Sequence, residues 1–237
     1  MADLKFEARI SYKNQNQLPA SLLRLMKLSP GVTAYEPIFV DAPGMQALHT
    51  SKNTSAVGQS LGTVAGLTVT VFSLSFSDFD KQWTKKEAGG VAQWQFNGGK
   101  VYLDIEISVY VLQGYDQPPK AYAAIVEHEY LHVYDDMVLV NKTLPEELLK
   151  DDTYTKPYLV QAKPVNNTTF QSLFKEDRYK KWVEAIWIEQ RNARESFRDS
   201  EEEYKRFRDR IDEARSELVR PHGRPETNHR QKTPIHH

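Results

Sequence analysis

The stretch from Lys120 to about Val140 constrains this chain most. Its pattern is helical and apolar round much of the circumference, so the helix must be buried. Yet it gathers His128, Glu129, His132, Asp135 and Asp136 within a sector of roughly 120°. Burying that cluster with no compensating cation would cost on the order of several kcal/mol. His128 and His132 lie four residues apart, one turn along the same face, and can grip one metal ion. Glu129 stands about 100° further round, beside the position a metal ion leaves open, where a general base for an activated water is needed. The competing reading is a buried helix that merely carries two histidines. It leaves the acids unexplained.

Cysteine is absent, which excludes disulfides and thiolate metal sites. Any Zn2+ must then be held by His and carboxylate, the ligand set typical of catalytic sites. The net charge of −1 points neither to nucleic acid nor to an anionic membrane. No apolar run reaches the roughly 20 residues of a membrane span. Met1 to Phe6 has neither the basic nor the apolar region of a signal peptide. With 237 residues, 40% of them hydrophobic, the chain suits one core better than two. We read residues 1–220 as a single domain and the polar residues 221–237 as a disordered tail.

Alternation of apolar and polar residues predicts a strand at Leu4–Tyr12. Further strands are expected at Val32–Val40 and Leu67–Phe76, with a short helix at Ala20–Leu28 between the first two. Val91–Phe96, Asn97-Gly98-Gly99 and Val101–Leu112 read as a hairpin, with Leu103, Ile105, Ile107, Val109 and Val111 on its core face. Pro118-Pro119 opens the metal-motif helix, and a short helix fits Pro145–Lys150. From about Glu176 to Arg220 there is neither Pro nor Gly, which predicts one long helix or two abutting ones. The expected class is α+β: a small, mostly antiparallel sheet, a buried helix with the metal motif, and a long C-terminal helix over about 175–220.

A third ligand should come from a later element, because one straight helix does not supply three ligands in this register. Tyr179, Val183, Ile186 and Trp187 form an apolar stripe, and Glu176 falls inside it. A carboxylate embedded there needs a cation. Glu176 is the expected ligand, with Glu184 and Asp135 as alternatives. Asp135 and Asp136 are expected to accept imidazole N–H groups and fix their tautomers. His49 reads as an ordinary surface or core histidine. Tyr154, Tyr158 and Tyr179 are open as donors to an oxyanion.

Glu127-His128-Glu129-Tyr130-Leu131-His132, with Glu176 downstream, resembles the zincin metallopeptidases, and among them the branch with a glutamate ligand. No glycine and third histidine follow His132, unlike the metzincins. No Gly-Thr-x-Asp run follows, unlike the aspzincins. More narrowly, the chain resembles the metallopeptidase effector domain at the C-terminus of some type VI secretion spike (VgrG) proteins. That resemblance implies a Zn2+ endopeptidase with His128, His132 and Glu176 as ligands and Glu129 as base. It also implies an antibacterial toxin delivered by a signal-independent route, acting in the target periplasm on protein or peptide and countered by an immunity protein. Val101–Leu112 would be the strand beside the substrate. Two other readings stand beside it: a metal-dependent hydrolase of a peptidoglycan amide, and a non-catalytic binding domain stabilised by metal.

Overall fold

A computed structural model describes residues 4–52, 65–76, 83–88, 91–96, 99–150, 158–160, 172, 176, 181 and 186–219. It is a mixture of helix and sheet, consistent with an α+β class. The principal sheet is built on one strand, β6 (Gly99–Leu112). Strand β3 (Gly66–Phe76) runs antiparallel along one edge of it, pairing Phe76 with Val101 and Gly66 with Val111. Strand β1 (Leu4–Tyr12) runs parallel to β6 and pairs with residues from Gly99 to Ile107. Strand β2 (Ile38–Val40) continues the same edge, parallel to Tyr110–Leu112. Because the same β6 residues pair with β3 and with β1 or β2, these must occupy opposite edges.

Two expectations are corrected here. The principal sheet is not mostly antiparallel, because β1 and β2 both meet β6 in parallel. Nor do Val91–Phe96 and Val101–Leu112 form a hairpin. Both edges of β6 are already taken, and a strand has only two. Strand β5 (Val91–Phe96) instead pairs antiparallel with β4 (Trp83–Ala88) and with β7 (Tyr158–Val160) in a second sheet. Its partner in sequence is therefore β4, with Ala88 opposite Val91.

The period-two alternation of β6 is realised as expected. Val101, Leu103, Ile105, Ile107, Val109 and Val111 enter the main core. A one-residue slip would turn that whole set to the other side, so the register is strongly specified. On the opposite face Glu106 is exposed, while Tyr110 and Leu112 are covered by Met45 of helix α2 (Ala42–Lys52). Helix α1 (Ala20–Leu23) leads into a segment whose Met26 also enters the main core.

Helix α3 (Pro119–Val138) carries the metal motif and lies against the core face of the sheet. Pro119 opens it at the first turn, where a missing N–H is not felt. Tyr130, inside the motif, donates its hydroxyl to the Tyr35 carbonyl (3.0 Å) and accepts from the Tyr35 N–H (2.6 Å). Burial pushes the Tyr130 phenol well above its ordinary pKa. A π-helical turn, Leu139–Thr143, joins α3 to helix α4 (Leu144–Leu148). Leu139, Val140, Leu144 and Leu148 are fully buried there.

The Pro- and Gly-free C-terminal run is two helices within its described part, not one. Helix α5 (Glu189–Arg198) stops at Asp199, and helix α6 (Glu201–Val219) starts after Ser200. Asp199 leaves helical geometry at φ −91° and ψ 11°. Ser200 followed by Glu201, Glu202 and Glu203 is an N-terminal signature, a cap residue with acids in the first turn. The tail 221–237 lies outside the described residues.

Replacing Ile105 by Ala should lower unfolding free energy by about 2–5 kcal/mol. Glu106→Ala, its exposed neighbour, should change it by no more than about 0.5 kcal/mol. Urea unfolding followed by circular dichroism reads both; equal effects would contradict the assigned faces.

Candidate metal centre

Helix α3 is enclosed on two sides, and its ionisable residues divide between them. Glu129 and Asp136, seven residues apart, project toward β3. Thr68 donates its hydroxyl to Glu129 Oε2 at 2.8 Å, and Thr70 donates to Asp136 Oδ2. Gly66 explains how closely helix and strand approach. A Cβ on it would stand 2.6 Å from Glu129 Oε1 and 2.9 Å from an Ile125 methyl. The carboxylate of Glu129 therefore lies over the strand backbone where only glycine fits.

His128, His132 and Asp135 project toward the α5–α6 turn. The imidazole of His128 meets the rings of Phe207 (4.9 Å) and Tyr204 (5.6 Å) edge-on. Burial first, and then the charge of Glu129, hold the Tyr204 pKa above its ordinary value, so the phenol keeps its proton.

Three donor atoms converge at this turn. His128 Nε2 and His132 Nε2 are 3.3 Å apart, and Asp199 Oδ1 is 3.3 and 3.2 Å from them. Charge-assisted hydrogen bonds are shorter, about 2.7–2.9 Å. A tetrahedral ion with bonds of about 2.0–2.1 Å spaces its ligand atoms about 3.3–3.4 Å apart. The triangle thus has the dimensions of one face of such a tetrahedron, with a fourth position left over. A shared proton bridges one edge at a time, whereas an ion satisfies all three donors. Burial alone would raise the Asp199 carboxyl, but its hydrogen bonds with His128 and His132 outweigh burial and hold it well below the usual carboxylate range.

The surrounding charges leave room for a divalent cation. Arg191 pairs with Asp136 (3.0 Å) and Glu195 (2.6 Å), Arg198 and Arg194 with Asp135 (2.7 and 3.9 Å), and Arg210 with Glu127 (3.0 Å). These four arginines balance four carboxylates, Glu127, Asp135, Asp136 and Glu195. Glu129 and Asp199 have no arginine or lysine ion pair among the described residues, and of the two it is Asp199 that meets the imidazoles. One feature departs from common metal sites: His128 Nδ1 is buried with no hydrogen-bond partner, where a ligand imidazole ordinarily donates to a carboxylate or carbonyl.

His128 and His132 come together as expected, whereas Glu129 turns toward β3 and bonds to Thr68. The third member is not the expected one. Among the described residues the group that could hold an ion is His128, His132 and Asp199. Glu176 is exposed and outside that group. Glu184, Tyr154 and Tyr179 lie outside the described residues, and of Tyr158 only its place in β7 is described. Asp135 and Asp136 bind arginines rather than imidazole N–H groups. His49 is half-buried in α2 and not in the group. The expected substrate-side strand is also displaced: β6 has both edges paired, whereas β3 has no partner on its outer edge among the described residues. Asp199 was accessible in principle from Asp199-Ser200-Glu-Glu-Glu, a break signature within a run that otherwise reads as continuous helix.

The chain matches no family model, no curated protein and no solved structure.

Titration with Zn2+ should give one ion per chain in the wild type and in Glu176→Gln. Asp199→Asn should weaken binding by at least about 10-fold; the opposite ranking would return the third ligand to Glu176. Gly66→Ala should cost about 1–3 kcal/mol in thermal or urea unfolding, because the added Cβ must displace Glu129.

Proposed function

We propose that this chain is a zinc-dependent endopeptidase of the zincin type, with His128, His132 and Asp199 as ligands and Glu129 as general base. The observation that carries the reading is the triangle of donor atoms, set on the same helix turn as a carboxylate with no cationic partner among the described residues. His and carboxylate donors in tetrahedral spacing suit zinc best among common divalent ions. When bound, such an ion supplies Lewis acidity and lowers the pKa of a water molecule.

The chain's own residues then divide the work. His128, His132 and Asp199 hold the ion and leave one side of it unclaimed. Glu129, oriented by the Thr68 hydroxyl, takes the proton of the attacking water and delivers it to the departing amine. Tyr204, kept protonated, is a candidate donor to the oxyanion formed at the cleaved carbonyl. The outer edge of β3 begins at Gly66, beside Glu129, and offers backbone N–H and C=O groups to an extended peptide. Delivery by a secretion spike into a target periplasm, and an immunity protein that counters it, extend the proposal on the strength of the resemblance alone.

A second reading is favoured by burial. His128 and His132 are 6% and 7% exposed, and α6 covers His128 through Phe207. With two of its three donors covered, an ion there would fasten α5 and α6 to α3, without chemistry.

Glu129→Ala separates the two. The peptidase reading expects retained zinc with cleavage of a denatured protein mixture, and toxicity on periplasmic expression, lowered by at least about 100-fold. Cleavage unaffected in this variant would sink the role given to Glu129. A wild type that binds zinc, melts earlier with chelator, and cleaves neither protein nor purified peptidoglycan would establish the structural reading.

A further inference from the structure

Asp199 is one residue from Arg198, and that neighbour closes a ring of contacts round the site. The Arg198 guanidinium spans both oxygens of Asp135, with Nε to Oδ2 at 2.7 Å and Nη2 to Oδ1 at 3.1 Å. Asp135 follows His132 by three residues and shares its side of α3. His132 Nε2 in turn stands 3.2 Å from Asp199. The ring therefore runs from Asp135 to His132 along the helix, across to Asp199, back one residue to Arg198, and across to Asp135 again. A two-point guanidinium–carboxylate fork fixes orientation as well as distance. Within α5 the one buried residue is Arg191, itself bound to Asp136, so α5 meets α3 through ion pairs, while apolar anchors lie outside it, at Trp187 before it and at Phe207 of α6.

We propose that the Arg198–Asp135 pair is the positioning element of the third ligand: it docks the α5–α6 turn on α3 so that the Asp199 carboxylate stands over the two imidazoles. This rests on Asp199 being a ligand. Arg198 acts through Asp199 and touches neither the ion nor substrate.

Co2+ is the probe, because its visible absorption reports the number and geometry of its ligands. Wild type, Asp199→Asn, Arg198→Gln and the exchanged pair Arg198→Asp with Asp135→Arg are titrated in parallel. Urea unfolding of each metal-free protein is measured beside them. Arg198→Gln should bind Co2+ about 10–100-fold more weakly, with a spectrum shifted toward that of Asp199→Asn. The exchanged pair should recover most of the wild-type affinity and spectrum. Wild-type affinity and spectrum in Arg198→Gln, with binding lost in Asp199→Asn, would overturn the positioning role and leave the ligand assignment standing. So would affinity that falls in Arg198→Gln only in step with metal-free stability and is not recovered in the exchanged pair. If the wild type binds no Co2+, the ligand assignment itself fails, and the positioning role with it.

Discussion

Everything in this structure that concerns the site depends on charge buried along one helix. Helix α3 is hidden under the sheet on one side and under α5 and α6 on the other, yet it carries Glu127, Glu129, Asp135 and Asp136 at 2–8% exposure. An unpaired carboxylate at that depth is strongly destabilising, whereas a paired one is tolerated. The partners come from far along the chain: Arg191, Arg194, Arg198 and Arg210. Glu127 also accepts the Lys27 backbone N–H, which ties the segment after α1 to the same helix. The need to pair these acids brings the C-terminal helices to α3, and with them the turn that carries Asp199.

The sheet side obeys a steric constraint instead. Gly66, Thr68 and Thr70 alternate on the core face of β3, and each meets an acid or its neighbourhood on α3. Glycine admits the Glu129 carboxylate, and the two threonines satisfy oxygens that water does not reach. These small residues make β3 a poor contributor of apolar burial there. Their value lies in holding Glu129 and Asp136 in one orientation. The Glu129 carboxylate and the two imidazoles thus meet different elements, β3 for one and the α5–α6 turn for the other.

Local patterns were legible where one element decided the outcome. The alternation of Val101–Leu112, the buried helix opened by Pro119, and the pairing of His128 with His132 all follow from side-chain periods of two and about four. Partner choice was not legible. The Asn97-Gly98-Gly99 turn signal suggested a hairpin, but a strand already paired on both edges cannot accept another. The apolar stripe around Glu176 suggested a ligand by chemistry alone. The nearer clue was the Asp199-Ser200-Glu-Glu-Glu break, with arginines at 191, 194 and 198 repeating at helical spacing toward the acids of α3.

What the sequence determined by itself was the motif helix, its two imidazoles and adjacent carboxylate, and the need for compensating positive charge. Those rest on spacing within a single helix, which local geometry settles. What only the tertiary structure decided was which cation meets which acid, and which carboxylate completes the triangle. Asp199 is 67 residues beyond His132, and nothing local relates them. Their meeting depends on how α5 and α6 lie against α3, and that rests on contacts between helices, ion pairs and the buried Phe207 among them, rather than on any one segment.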